Sequence, residues 1–312
     1  MLISKTPLRI SVTGGGSDIK NFYSAYGGEV VSFAINRYVY VTAFFRLDDK
    51  IVLSYRLLEE VHNVNKLKNT LVRECLKEAG ILKGIEIHLA SEIPTIGTGL
   101  GGSSAITVGC LNVLFALKGI FLTKEQLAVK ACRVEIDLLG KEIGKQDQYA
   151  CAYGGLNRFE FLPSSAVIVT PILNTDNLTG KFSLVNATDN SRLPAELLLS
   201  KQNKRIKKNI GILIKMKKQC GRLVKAIVSN DEKSIIKILN RSWDLKKQLS
   251  EQISSPSIEK IINLIRDDGG AGKLCGAGQA GYIASYFPFD RSIPIKTIPV
   301  EIDGEGTRLI QI

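Results

Sequence analysis

The chain has 312 residues, 45% of them hydrophobic, and a formal net charge of +12 at pH 7. That length and apolar content supply one large core or two smaller ones, while two isolated histidines exclude a histidine metal cluster and six scattered cysteines without C-x-x-C spacing read as buried free thiols. No signal peptide or spanning segment is expected, since Met1 to Ser11 is short and interrupted by Pro7, so the expected compartment is the cytoplasm.

In T-P-L-R-I-S-V-T-G-G-G-S-D the apolar alternation at Leu8, Ile10 and Val12 predicts a strand. It runs into Gly14, Gly15 and Gly16 and then Ser17 and Asp18, which reads as a ligand-facing turn. On the residues alone, Arg9 also fits a strand residue paired with any acid, and Asp18 an Asx turn or a cap for the segment from Ile19. The run Pro94 to Ala105, P-T-I-G-T-G-L-G-G-S-S-A, joins a glycine-rich loop to a helix start. Its glycines expose backbone N–H groups, and a helix N-terminus adds unpaired donors and partial positive charge, so a triphosphate can settle there. Gly97 and Gly102 have Walker A spacing, but Ser103 stands where that loop needs lysine.

From Leu122 to Leu139 apolar residues recur near helical spacing, with Thr123 as N-cap, Gln126 three residues on and Gly140 as the stop, which predicts one amphipathic helix carrying Glu135 near its end. Taken alone, Glu135 also reads as an exposed helix charge. Asp147 follows among small and aromatic residues in G-K-Q-D-Q-Y-A-C-A-Y-G-G, a poor setting for a merely solvated carboxylate. L-P-S-S and N-T-D-N-L-T-G mark a boundary near residues 165 to 180.

Lys201 to Lys218 interleaves basic residues with Ile206, Ile210, Leu213 and Ile214, which predicts an amphipathic helix with a solvated basic face; no nucleic-acid motif accompanies the charge. G-A-G-Q-A-G, with Gly276, Gly278 and Gly281, satisfies G-x-G-x-x-G but lacks the strand before and helix after that a dinucleotide site needs. The tail T-I-P-V-E-I-D-G-E-G-T-R-L-I-Q-I reads as a closing hairpin.

The three separated glycine-rich motifs, in this order, resemble those of the GHMP family of small-molecule kinases over nearly the whole chain. The resemblance implies an α+β fold of two domains, an N-terminal α/β domain over 1–170 and a C-terminal ferredoxin-like α+β domain over 171–312, with the active site between them. It implies ATP and Mg²⁺ as cofactors. ATP is expected to meet Gly97, Thr98, Gly99, Leu100, Gly101, Gly102, Ser103, Ser104, Gly276 and Gly278. Mg²⁺ is expected on Ser103 and Glu135, with Ser104 as the alternative hydroxyl, and catalysis on Asp147 and Arg9. Asp147 then acts as base or as electrostatic stabiliser. Gly15, Gly16, Ser17 and Asp18 are expected on the sugar, and Lys145 on its phosphate because it lies near Asp147.

The implied reaction carries the γ-phosphoryl group of ATP to the anomeric hydroxyl of D-glycero-D-manno-heptose 7-phosphate, feeding nucleotide-activated heptose for surface polysaccharide. The alternatives are a fucose- or hexose-type kinase, or a non-catalytic ligand sensor. Partners are the two small molecules, without nucleic acid or membrane, and a homodimer is compatible. Two departures from the family pattern stand out. Gly102 replaces a serine, and Gln279 and Ala280 replace glycines of the late motif.

Overall fold

The computed structural model describes residues 1–95, 97–173, 175–187, 198, 200, 203, 205–288 and 294–310. The expected strand is long: β1 (Leu2–Thr13) pairs antiparallel with β2 (Gly28–Phe45), with register shifts at Pro7/Leu8 and Ser11/Thr13. Between them the glycine turn leads into a short helix, α1 (Lys20–Tyr26). Leu8, Ile10 and Val12 are buried, and so are Arg9, Ser11 and Thr13 that alternate with them. A strand buried on both faces can bring polar side chains to an internal site, which an edge strand facing water cannot.

β3 (Ile51–Ser54), β4 (Leu58–Val61), α2 (Thr70–Ala79) and β5 (Ile85–Ser91) follow, then α3 (Gly102–Leu117), α4 (Lys124–Cys132) and α5 (Gln146–Tyr153), and finally β6 (Leu156–Phe161) and β7 (Val167–Pro171). Their sheet runs β12-β1-β2-β5-β3-β4, β12 being Arg308–Ile310, with β6 on β2 and β7 on β6. α3 buries residues all round its axis, among them Ala105, Val108, Leu111 and Leu114, so its N-terminus is held rigidly against the sheet.

The second sheet has the order β11-β8-β10-β9, from β8 (Phe182–Ala187), β9 (Ala271–Leu274), β10 (Gly281–Tyr286) and β11 (Thr297–Val300). All three pairings are antiparallel, which is the ferredoxin-like order, and helices Ile206–Val228, Glu232–Lys247 and Pro256–Asp267 lie in the crossover from β8 to β9. The helix expected from the Lys201 run buries Ile206, Leu213, Met216 and Cys220 and keeps its lysines outward, as its pattern predicts; Lys201, Gln202 and Lys204 lie outside the described residues. Among the described residues no helix is long and apolar enough to cross a membrane.

Two elements differ from the sequence reading. The tail is no hairpin: β11 pairs with β8 in the second sheet and β12 with β1 in the first, so the chain crosses between sheets at D-G-E-G; Gln311 and Ile312 lie outside the described residues. Asp303 organises that crossing by accepting from the Glu305 and Gly306 N–H groups and from Tyr38 and Arg308. The predicted helix Leu122–Leu139 has its Thr123–Gln126 capping box, but α4 stops at Cys132 and Arg133–Leu138 form a π-helical turn. A wider turn shifts the angular position of every later side chain, which 3.6-residue periodicity cannot foresee.

Candidate active site

β1, the glycine loop, α3, the π-turn, α5 and the β9–β10 connection meet at one cleft, lined among others by Arg9, Gly97, Gly99, Ser103, Ser104, Glu135, Asp147 and Gly276. Arg9 is 4% exposed, and its guanidinium is a three-way tie. Nε donates to Asp147 Oδ1 at 2.6 Å and Nη2 to Asp147 Oδ2 at 2.5 Å, while Nη1 donates to the Gly99 carbonyl at 2.6 Å. The planar fork thus joins the α5 carboxylate to the glycine loop.

The π-turn brings Glu135 fully inside. Its Oε1 accepts from Ser103 Oγ at 2.5 Å and Lys141 Nζ at 3.1 Å, and its Oε2 from Ser104 Oγ and Gln148 Nε2, both at 2.7 Å. Lys141 Nζ also donates to Ser103 Oγ at 2.9 Å. An exposed helix charge is therefore excluded. Both loop serines are drawn to one carboxylate, which settles how they share its surroundings. Gly102 is required by its neighbour: a Cβ there would lie 2.6 Å from the Thr95 carbonyl oxygen and 2.7 Å from Thr95 Cβ. A serine does not fit with Thr95 placed so closely.

The late glycine motif is a β-hairpin connection: contrary to the sequence reading a strand, β9, does precede it, but the strand β10 and not a helix follows, so the dinucleotide reading fails on what comes after. It closes directly on the loop. Gly99, at φ 75°, has room for no side chain because its Cβ would stand 2.4 Å from the Cys275 carbonyl oxygen, and a Cβ on Gly276 would stand 2.4 Å from Gly99 Cα. The Tyr282 N–H donates to the Thr98 carbonyl at 3.0 Å. Gln279 takes the left-handed conformation with φ 66°, while Ala280 is buried, so the strain of the replaced glycines falls on Gln279. Lys246 Nζ donates to the carbonyls of Leu274 and Gly276, at 2.8 and 2.6 Å, and holds the turn.

Asp18 is 2% exposed and accepts from the Gly16 N–H at 2.9 Å and the Gln146 N–H at 3.2 Å. It therefore caps α5, the helix of Asp147, and not the segment from Ile19. Burial first, then the charge of Asp147, raises the Asp18 carboxyl above its ordinary range, against the pull of those two donors. Gly15, Gly16 and Asp18 line the cleft.

Other expected site residues stand elsewhere. Ser17 is fully buried, with Oγ donating to the Gly14 and Glu29 carbonyls. Lys145 Nζ donates to the Ser165 carbonyl at 2.9 Å and stands over the Tyr23 ring, outside the cleft lining, so proximity in sequence misplaced it. Thr98 and Leu100 are buried within the loop and Gly278 packs on Ile253; none of the three lines the cleft.

Sequence reasoning missed Lys141, Lys246, Gln148 and Lys273. Lys273 is buried, donates to the Ser11 and Val12 carbonyls at 2.8 and 2.9 Å, and is brought down to about 8 by burial, with Arg9 adding to the effect. Its signal was its place two residues before Cys275 at the head of the late motif. Lys141 had one as well, since it follows the Gly140 stop and can fold back over Glu135.

A glycine-lined anion seat at a buried helix start, facing a carboxylate held by a fixed arginine, defines a phosphotransferase. The family model for the GHMP kinases N terminal domain matches residues 65–155, and that for the GHMP kinases C terminal domain matches residues 223–285. A D-glycero-alpha-D-manno-heptose 7-phosphate kinase of Campylobacter jejuni is 29% identical over 300 residues, covering 90% of this chain and 87% of the relative. A mevalonate kinase of Thermococcus sibiricus is 27% identical, covering 91% and 83%. Among solved structures, a D-glycero-D-manno-heptose 1-phosphate kinase from Bacteriodes thetaiotaomicron superposes with TM-score 0.81 at 24% identity, covering 100% of this chain and 99% of that one. Lactococcus lactis galactokinase superposes with TM-score 0.77 at 19% identity, covering 98% and 94%. The chain thus carries matches to both the N-terminal and the C-terminal domain of the GHMP kinases and is an ATP-dependent phosphotransferase whose acceptor is an alcohol group.

Proposed function

We propose that the protein is a sugar kinase that phosphorylates the anomeric hydroxyl of D-glycero-D-manno-heptose 7-phosphate, giving the 1,7-bisphosphate and ADP. The observation that carries the reading is the Arg9 fork, which ties Asp147 to the phosphate loop through the Gly99 carbonyl. The Campylobacter jejuni relative supports the choice of acceptor.

In this reading the triphosphate sits on the loop and the N-terminus of α3, with Gly276 closing one wall. The acceptor oxygen forms the new P–O bond in line with the departing ADP oxygen, whose bond to the γ-phosphorus breaks. The hydroxyl proton passes to Asp147, or is held by it electrostatically until it reaches water. Arg9 keeps the Asp147 carboxylate aimed at the acceptor. Asp18 holds the N-terminus of α5 and accepts sugar hydroxyls with its remaining lone pairs.

The donors around Glu135 fit Mg²⁺: hydroxyl and carboxylate oxygens are the hard ligands it takes, and Lys141 shows that the spot accommodates positive charge. Ser103 or Ser104 with Glu135 would hold the ion, which would screen the phosphate charges.

One observation favours a second acceptor. Among the described residues, the four cations lining the cleft, Arg9, Lys141, Lys246 and Lys273, are each bound to protein acceptors, which favours a neutral fucose- or hexose-type sugar. Initial rates with Mg-ATP across heptose 7-phosphate, mannose, fucose, mevalonate and homoserine decide between them. The proposal expects the highest kcat/KM for heptose 7-phosphate, and a faster neutral sugar overturns it.

A further inference from the structure

Ser11 Oγ and Gln146 Oε1 are buried, belong to residues of the cleft lining and have no hydrogen-bond partner among the described residues. Ser11 stands two residues after Arg9 on β1, and Gln146 directly precedes Asp147 on α5. Both reach the same place: a methyl built on Gly15 would lie 3.4 Å from Ser11 Oγ and 3.4 Å from Gln146 Nε2. Buried polar atoms are nearly always paired, and leaving one unpaired costs about 1–3 kcal/mol. The Ser11 hydroxyl and the Gln146 carboxamide, each with an unpaired buried oxygen, thus meet beside one glycine next to the Arg9–Asp147 pair, and mark a wall shaped for polar groups that arrive with a ligand.

We propose that Ser11 and Gln146 form a hydroxyl-recognition subsite that grips a hydroxyl pair of the acceptor and so sets acceptor specificity. The proposal rests on the sugar-kinase reading above. Gln146 presents one acceptor and one donor group, and Ser11 presents both in a single atom, so neighbouring hydroxyls of a polyol satisfy the set. A phosphate satisfies only part of it. Its oxygens can accept from Ser11 Oγ and Gln146 Nε2 but leave Gln146 Oε1 unpaired beside the Asp18 carboxylate, while the Lys273 ammonium is already bound to the Ser11 and Val12 carbonyls. The subsite therefore reads the neutral part of the acceptor. Ser11 and Gln146 are positioning residues: they fix where the acceptor lies relative to Asp147 and take no part in the transfer.

The test uses Gln146→Met and Ser11→Ala in the full chain, with the polyol that the wild-type protein phosphorylates fastest. Each variant is expected to raise the acceptor KM about tenfold, to leave the KM for ATP unchanged and not to lower Tm, because the atom removed makes no bond within the protein. Against acceptors that each lack one hydroxyl, variant and wild type are expected to converge for the hydroxyl that the subsite reads. An unchanged acceptor KM overturns the proposal, as does an equal rise in the KM for ATP, a lowered Tm, or a penalty that persists across the whole deoxy series. A wild type that prefers a neutral hexose overturns the heptose assignment alone, since the same comparison on that hexose still decides the subsite. A wild type that takes no polyol overturns both.

Discussion

Replacing Asp147 by asparagine separates chemistry from nucleotide binding. The carboxylate receives two charge-assisted bonds from Arg9, at 2.6 and 2.5 Å. Asparagine keeps one oxygen for the fork and turns an NH₂ group toward the other guanidinium N–H. The Arg9 side chain is 5% exposed and that of Asp147 is 24% exposed. Breaking a fully buried pair costs about 3–5 kcal/mol, and the partial exposure of Asp147 brings the expected loss of stability to about 2 kcal/mol. Turnover is expected to fall roughly a thousandfold, about 4 kcal/mol of transition-state stabilisation, as loss of a positioned acid–base group does. In the proposed reading ATP meets the loop and not Asp147, so its Kd should stay within about threefold of wild type. ADP release under saturating acceptor gives the first quantity and calorimetric titration the second. Equal losses in both, or a fall in kcat below about tenfold, would refute the role given to Asp147.

Two further outcomes follow from the packing and charge of the cleft. Gly102→Ser should destabilise the protein by about 1–3 kcal/mol, read as a lower midpoint in urea, because its Cβ meets the Thr95 carbonyl oxygen at 2.6 Å and Thr95 Cα and Cβ at 2.7 Å; the two backbone atoms remain in Thr95→Gly, so that second change should leave most of the loss in place, and an unchanged midpoint in Gly102→Ser itself would show that the contact is no obstacle. Lys273 is held at about 8 against an ordinary 10.5, so the folded state binds fewer protons than the unfolded state between those values. Stability should therefore rise with pH across that window by about 3 kcal/mol; Lys273→Met should flatten the rise, and an identical pH profile would contradict the buried cation.

What was legible in the chain was the chemistry carried by short runs. Arg9, Asp18, Ser103, Glu135 and Asp147 each sit in a local pattern, a strand into a turn or a glycine loop into a helix, and the fold brings all five to one cleft. What stayed hidden depends on residues far apart in sequence. The π-turn that buries Glu135 interrupts a pattern whose periodicity looked continuous, and Lys141 reaches Glu135 only through that turn. Nearness to Asp147 in sequence points to Lys145, yet its ammonium sits just ahead of α5 against the Ser165 carbonyl and the Tyr23 ring. The tail alternates as a hairpin would, yet its two halves find better partners in different sheets. The orphaned Ser11 and Gln146 atoms become apparent only when every neighbour has been placed.

The most direct test of the sugar-kinase assignment is where the phosphate goes. ³¹P–¹H correlation NMR of the product formed from heptose 7-phosphate and Mg-ATP should show a new phosphorus resonance coupled to the anomeric proton, an unchanged 7-phosphate signal and one ADP per new ester. A new phosphate on any other carbon, or ADP and inorganic phosphate with the sugar unchanged, would contradict the assignment.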